Sequence, residues 1–261
     1  MPHRTVWIAA LMGVVSGLAQ ELPPGTLLLA RVEARVRESL AQLPDCTCVE
    51  TIRRFERPPG ANPGMQPADT IRLQILFSGD HELYAVRGGS RWESNPGALV
   101  GTGLIGNGIF ALHLKMLFVN RQATFVYRGA GADFQPSQPY YDFKMPVLMS
   151  GYSLSTGTAS GIVGLKGKVW VDPESFDVVR LEMHADDIPP ELPFEEVTTI
   201  IDYTRVRIGS MEVLLPRDAI TYAVLTSGQK SRNEIEFTNC NAFHAETTLR
   251  FDAPAADGKK Q

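Results

Sequence analysis

The sequence predicts a mainly β protein with helices (α+β), a long antiparallel sheet with an N-terminal amphipathic helix and one short helical insertion. Three observations predict it. Apolar residues recur at helical spacing near the start of the chain, almost everything after that alternates with period two, and turn residues punctuate the alternation at hairpin spacing.

The first element is the helix. Leu28, Leu29, Val32, Val36, Leu40 and Leu43 share one face, while Arg31, Glu33, Arg35, Arg37, Glu38 and Gln42 fill the other. This reads as about four turns, closed by Pro44. The strands follow. Ile71, Leu73, Ile75 and Phe77 share a face in Asp69 to Phe77, and Val179, Leu181 and Met183 oppose Val178, Arg180, Glu182 and His184. Ile235 and Phe237 oppose Glu234 and Glu236, and Leu249 and Phe251 oppose Thr248 and Arg250. Glu195 and Glu196 begin another strand, one exposed and one half-exposed. Ser78-Gly79-Asp80, Asp172-Pro173-Glu174-Ser175, Ile208-Gly209-Ser210 and Ser227-Gly228-Gln229 supply the turns, and Pro58 to Pro67 a long hairpin tip. Ile109 to Phe118, after a glycine-rich turn, is the second helix. No composition break divides the body, so residues 20–252 are expected to form a single domain, followed by a disordered tail over 253–261.

The chain opens with the pattern of a secretory signal peptide over residues 1–19. His3 and Arg4 precede an apolar run from Val6 to Val15, too short for the roughly 20 residues of a membrane span. Gly17 and Ala19 stand at the −3 and −1 positions of a cut between Ala19 and Gln20. Gln20 in place of a cysteine argues against a lipid anchor, and a retained anchor helix is the competing reading. No later stretch could span a bilayer, so the processed chain is expected in the periplasm or secreted. Losing Arg4 takes the formal net charge from −4 to −5. A nucleic-acid partner would call for a basic patch, so none is expected.

Export makes a disulfide the default use of cysteine. Cys46 and Cys48 are two apart in a predicted strand, point to one face and are poorly placed to bond each other. One of them should pair with Cys240. We assign Cys48, which leaves Cys46 as a free, buried thiol. A three-thiolate metal site would need a second cysteine pair and a well-spaced histidine, and the sequence has neither.

Other motifs point to chemistry only weakly. Gly101-Thr102-Gly103-Leu104-Ile105-Gly106 fits GxGxxG, yet dinucleotide binding needs a parallel strand before it, and Ser94 to Ala98 reads as a turn. Tight turns before a packed helix are the expected role. Asp186-Asp187 could offer oxygens to calcium but reads as a solvated loop. His81, His113, His184 and His244 are scattered, with no helical zinc spacing, and Gly151 to Ser155 lacks the second glycine of a nucleophile elbow. No catalytic, cofactor or metal site is therefore assigned.

The segment Val169-Trp170-Val171-Asp172-Pro173-Glu174-Ser175-Phe176-Asp177-Val178-Val179-Arg180-Leu181 resembles the turn and amphipathic strand of the half-barrel superfamily related to the periplasmic outer-membrane lipoprotein carrier (LolA-like). The chain is also similar to uncharacterised exported bacterial proteins that carry Thr47 to Ile52, Gly101 to His113 and Ala185 to Pro190. The first resemblance implies an open, strongly curved sheet that cradles helices and an apolar cavity, and partners drawn from lipids, lipoproteins or envelope proteins. The expected function is that of a non-enzymatic binding protein, holding a lipid, acyl chain or lipoprotein segment between curved sheet and helix. One rival is an envelope interaction or sensor module with a filled core. The other is a hydrolase with an unrecognised site.

Overall fold

Long alternating strands joined by tight turns leave a chain little choice but to meander, and the computed structural model shows how this one does so. It describes residues 22–60, 64–120, 122–131, 134, 138–156 and 159–243. The expected signal peptide with its Ala19–Gln20 cut, His244, the strand expected at Thr247 to Phe251 and the tail lie outside these residues. Helix α1 (Pro24–Gln42) is followed by β1 (Cys46–Arg57), β2 (Gln66–Ser78) and β3 (His81–Val86). A helical turn, α2 (Leu112–Leu114), continues as π-helical Lys115–Val119. Then come β4 (Thr124–Ala130), β5 (Pro139–Met145), the small hairpin β6 (Ser153–Ser155) and β7 (Ser160–Ile162), β8 (Gly164–Val171), β9 (Val178–Asp186), β10 (Phe194–Ile208), β11 (Met211–Leu225) and β12 (Lys230–Ala242).

Ten of these strands form one antiparallel sheet in the order β3-β2-β1-β12-β11-β10-β9-β8-β5-β4. The pairing of β1 with β12 joins the two ends of the meander, and β3 and β4 remain as edges, so the sheet is not closed into a barrel. Register shifts interrupt the β1–β12, β1–β2, β4–β5, β8–β9 and β10–β11 ladders, and a bulge bends the strand that carries it and increases local twist. All four predicted turns join neighbouring strands.

Three details differ from the sequence reading, each for a local reason. Val178 is fully buried and Val179 is not, because the shift at Trp170/Val171 changes which residue of β9 meets the core. Glu195 and Glu196 are both exposed, since a shift at Phe194/Glu196 leaves Glu195 unpaired and breaks the alternation before Glu196 pairs with Val224. Gln66 and Pro67 belong to β2 rather than to the hairpin tip. Beyond the reach of β3, that stretch of β2 is a sheet edge, where proline's missing N–H costs nothing. The second helix is also shorter than Ile109 to Phe118: Ile109 to Ala111 form turns before α2.

Helix α1 starts at Pro24, whose fixed φ suits a first helical position, and buries Val32 and Val36. Gly25 lets its first turn approach β4, because a Cβ there would lie 2.5 Å from the Tyr127 ring. Tyr141 of β5 donates its hydroxyl hydrogen to the Gly25 carbonyl at 2.7 Å. Further along, Asp177 is buried after the β8–β9 turn and takes two hydrogen bonds from Arg205 (2.7 and 2.8 Å) and one from Arg35 of α1 (3.2 Å). The turn itself is closed by Asp172 Oδ1, which accepts from the Glu174 and Ser175 amides, and by Phe176 at φ 62°, under the Arg31 guanidinium. Val169 to Leu181 is thus a device that ties α1 to the sheet.

One main core results. Val32 and Val36 of α1 pack with Phe110, Leu114, Leu117 and Phe118 of the insertion against the apolar faces of the strands. A smaller cluster around Leu154, Val163, Leu192, Val197 and Ala223 lies under the β6–β7 hairpin.

Candidate functional site

Beside the β3 edge the core turns polar. Alternation along β3 sends Glu82 and Tyr84 inward. The Ala111 and Leu112 amides donate to Glu82 Oε1 at 2.8 and 3.1 Å, and the Tyr84 hydroxyl donates to Oε2 at 2.7 Å. The Tyr84 oxygen accepts from the Gly108 amide at 3.2 Å. These amides stand just before or within the first turn of α2, where no intrahelical partner exists, so Glu82 fastens the insertion to the sheet. Burial pushes the Glu82 carboxyl above the usual range, against the downward pull of these hydrogen bonds. Burial likewise raises the Tyr84 hydroxyl.

Glu50 stands in phase with Cys48 and Ile52 on the core face of β1. Its Oε2 is buried with no hydrogen-bond partner, and burial, then the nearby Glu82, push its carboxyl up to about 8. The buried hydroxyl of Tyr203 also lacks a partner and is raised by the same two causes.

The other side of the insertion faces open space. A cavity of about 580 Å³ lies between β3, α2 and the segment from Leu148 to Ser153. Apolar contributions come from Met116, Leu148 and Met149, and Leu148 is 97% exposed. Asn107, Asn120 and Gln122 bring side-chain amides, and His113 and Tyr152 bring rings. The two rings lie 5.7 Å apart. His113 is 5% exposed, and burial pushes it down to about 4, so the imidazole is neutral at pH 7. Gly108, at φ 77°, gives the chain its tight turn over that ring, which a Cβ there would meet at 3.1 Å.

The expected apolar cleft between sheet and α1 is therefore occupied by core side chains. Open volume appears instead at the sheet's edge, and its lining is mixed. A hydrolase would need a nucleophile beside a base. Ser94, Ser150 and Ser153 line the cavity with His113, but none of their hydroxyls is hydrogen-bonded to the imidazole among the described residues.

Of the residues singled out from the sequence, Cys48 is bonded to Cys240, with Cα atoms 4.1 Å apart, stapling β1 to β12. Cys46 is a free, buried thiol, pushed up to about 11 by burial. The glycines from Gly101 to Gly106 follow a 3₁₀ turn at Pro96–Ala98, not a parallel strand, and Arg54 holds the loop through the Thr102 carbonyl. Asp186 is paired with Lys144 and Lys166. His81 is exposed on β3, and His184 bonds Glu182 and Thr198, each at 2.8 Å. Among the described residues no group of His, Cys, Asp or Glu is arranged to hold a metal, and no helix is long and apolar enough to cross a membrane.

Glu50, Glu82 and the cavity were not singled out from the sequence, although the two glutamates carried a usable signal. Each is an acid in phase with the buried set of its own strand.

No protein-family model and no curated protein matches the chain. Solved structures are similar to it, two among them as follows. One is a LolA superfamily protein from Nitrosomonas europaea (12% identity, TM-score 0.39), with 85% of this chain and 94% of that one covered. The other is a DUF1329 family protein from Desulfovibrio piger (7% identity, TM-score 0.34), with 87% and 96% covered. The first comes from the superfamily named above on the Val169 to Leu181 segment.

Proposed function

We propose that the chain is a non-enzymatic binding protein of the bacterial envelope, exported to the periplasm or beyond, that holds the apolar part of a lipid, an acyl chain or a lipoprotein segment. The site is the cavity at the β3 edge, not the filled space under α1. The observation that carries this reading is Leu148, almost wholly exposed beside Met149 at the mouth of a cavity of about 580 Å³. That volume is in the range of roughly 300–1,000 Å³ common for small-ligand sites, and an exposed large apolar side chain at the mouth gives a chain a surface to follow inward. The Cys48–Cys240 bridge supports an oxidising compartment.

A second reading, an envelope interaction or sensor module, has its own observation. The sheet–helix interior is packed, and the edge strand β4 exposes Val126 and Tyr127, an arrangement suited to receiving a partner's strand. Mass spectrometry of organic extracts from protein purified out of its native envelope separates the two. Recovery of a stoichiometric acyl compound supports the ligand reading. Extracts no richer than those of a control protein of similar size sink it and favour the module.

A further inference from the structure

His113 of the cavity wall is nine-tenths buried and makes no side-chain hydrogen bond among the described residues. The carboxylate of Glu82 is taken up by two amides and Tyr84, and Lys115 is paired with Asp80 at 2.9 Å. His113 is different. It lines the cavity at 5% exposure, and among the described residues neither ring nitrogen has a hydrogen-bond partner. Neither nitrogen is among the fully buried unpartnered atoms, so the ring is open to the cavity, where a ligand group can take the place of water as its partner. A neutral imidazole offers one donor and one acceptor. Asn107, Asn120 and Gln122, which share the lining, offer the same mixture, and the two charged groups of the wall among the described residues, Glu82 and Lys115, have partners.

We infer that His113 anchors an uncharged polar head, hydroxyl- or amide-bearing, of an acyl compound whose chain leaves the cavity across Met116, Leu148 and Met149. Among the described residues the only cation a carboxylate head would meet there is Lys115, paired with Asp80, and such a head offers acceptors only, so it leaves the imidazole's acceptor nitrogen unpaired. This rests on the cavity being the ligand site and specifies what that site selects.

Three probes with one twelve-carbon chain separate the cases: monododecanoylglycerol (hydroxyl head), dodecanamide (amide head) and dodecanoate (charged head). Their dissociation constants are measured on the disulfide-bonded protein below the micelle concentration. At least one neutral probe is expected to bind about ten-fold more tightly than dodecanoate, and the stronger of the two tells a hydroxyl from an amide. His113→Leu should weaken that probe about ten-fold and dodecanoate clearly less, and His113→Gln should restore most of the difference. In the unaltered protein the imidazole ¹⁵N resonances should shift with the neutral probe, which decides the matter even if His113→Leu does not fold. Equal affinities for all three probes with unmoved ¹⁵N resonances overturn the role of His113 and leave the cavity as a binding site. No binding of any probe overturns both.

Discussion

Asp177 and Glu50 are both buried carboxyl groups facing one core, and the protein treats them in opposite ways. Asp177 is surrounded by guanidinium groups and accepts three hydrogen bonds from Arg205 and Arg35. Glu50 has an oxygen with no partner and another acid, Glu82, as its charged neighbour. A carboxylate that meets its full set of donors can act as a fastener, and Asp177 fastens α1 to the sheet. One that does not must keep its proton, and it leaves the surrounding packing more weakly held. The second situation prevails on the side of the molecule that holds the cavity and the neutral His113. The disulfide lies on that same side, joining β1, which carries Glu50, to β12.

If that side depends on the staple, removing it should have the largest effect. The bridge closes a separation of 192 residues, and the chain-entropy account puts its stabilisation at about 5 kcal/mol at most, less any order that β1–β12 pairing keeps in the unfolded ensemble. Cys48→Ser combined with Cys240→Ser is expected to lower the unfolding free energy by about 3–5 kcal/mol, read from the denaturant midpoint and slope. Amide exchange should then quicken in β1–β3 before it does in β8–β10. Uniform quickening would erase the contrast between the two sides.

Next in size is the fastener itself. Asp177→Ala leaves Arg205 and Arg35 converging with only Glu38, 3.0 Å from Arg35, as counter-charge, at a cost of about 3 kcal/mol, toward the low end for a broken buried pair because both guanidinium groups are partly solvated. An unchanged midpoint in urea, at unchanged slope, would show that α1 is held by Val32 and Val36 alone.

These two sides were not equally legible in the sequence. Strands and turns could be read because alternation and turn chemistry are local, and the same-face spacing of Cys46 and Cys48 argued that one of them pairs with Cys240, though not which one. The Val169 to Leu181 motif was visible as a turn, but its purpose was not: Arg35 is 142 positions from Asp177. Register shifts defeated the reading of Val178 and of Glu195–Glu196, since a bulge depends on the partner strand. The cavity was hidden for a similar reason. Its walls come from β3, the insertion and the stretch before β6, which only the fold brings together. Glu50 and Glu82 are the instructive misses, because the alternation already placed both inside.

The unsatisfied side should also respond to pH, and the direction follows from two groups. Glu50 holds its proton up to about pH 8 when folded and to about 4.5 in its ordinary state, so stability from this group falls as pH rises between those values. His113 is pushed from 6.5 down to about 4, so its contribution rises with pH over that range and opposes Glu50 below pH 6.5. The net expectation is little change from pH 5 to 6.5, then a loss of about 2 kcal/mol between pH 6.5 and 8. Glu50→Gln cannot ionise and should flatten that fall. A fall that persists in the variant would shift the cause to Glu82, whose carboxyl is raised as well.

The smallest expected effect tests where the unsatisfied region ends. Lys115 lines the cavity and its ammonium pairs with Asp80, but Asp80 is largely solvated, which makes this a surface pair despite its 2.9 Å separation. Water and counter-ions replace such a partner readily, and the long side chain gives up rotamer freedom to keep it. Lys115→Ala should therefore move the unfolding midpoint by no more than about 0.5 kcal/mol, and added salt should move it no further. A loss several times larger would make the cavity mouth part of the scaffold, as Asp177 is. A silent substitution leaves the mouth free to adapt to what enters, while Glu82, at 2.8 and 3.1 Å from the amides it receives, keeps the insertion in place.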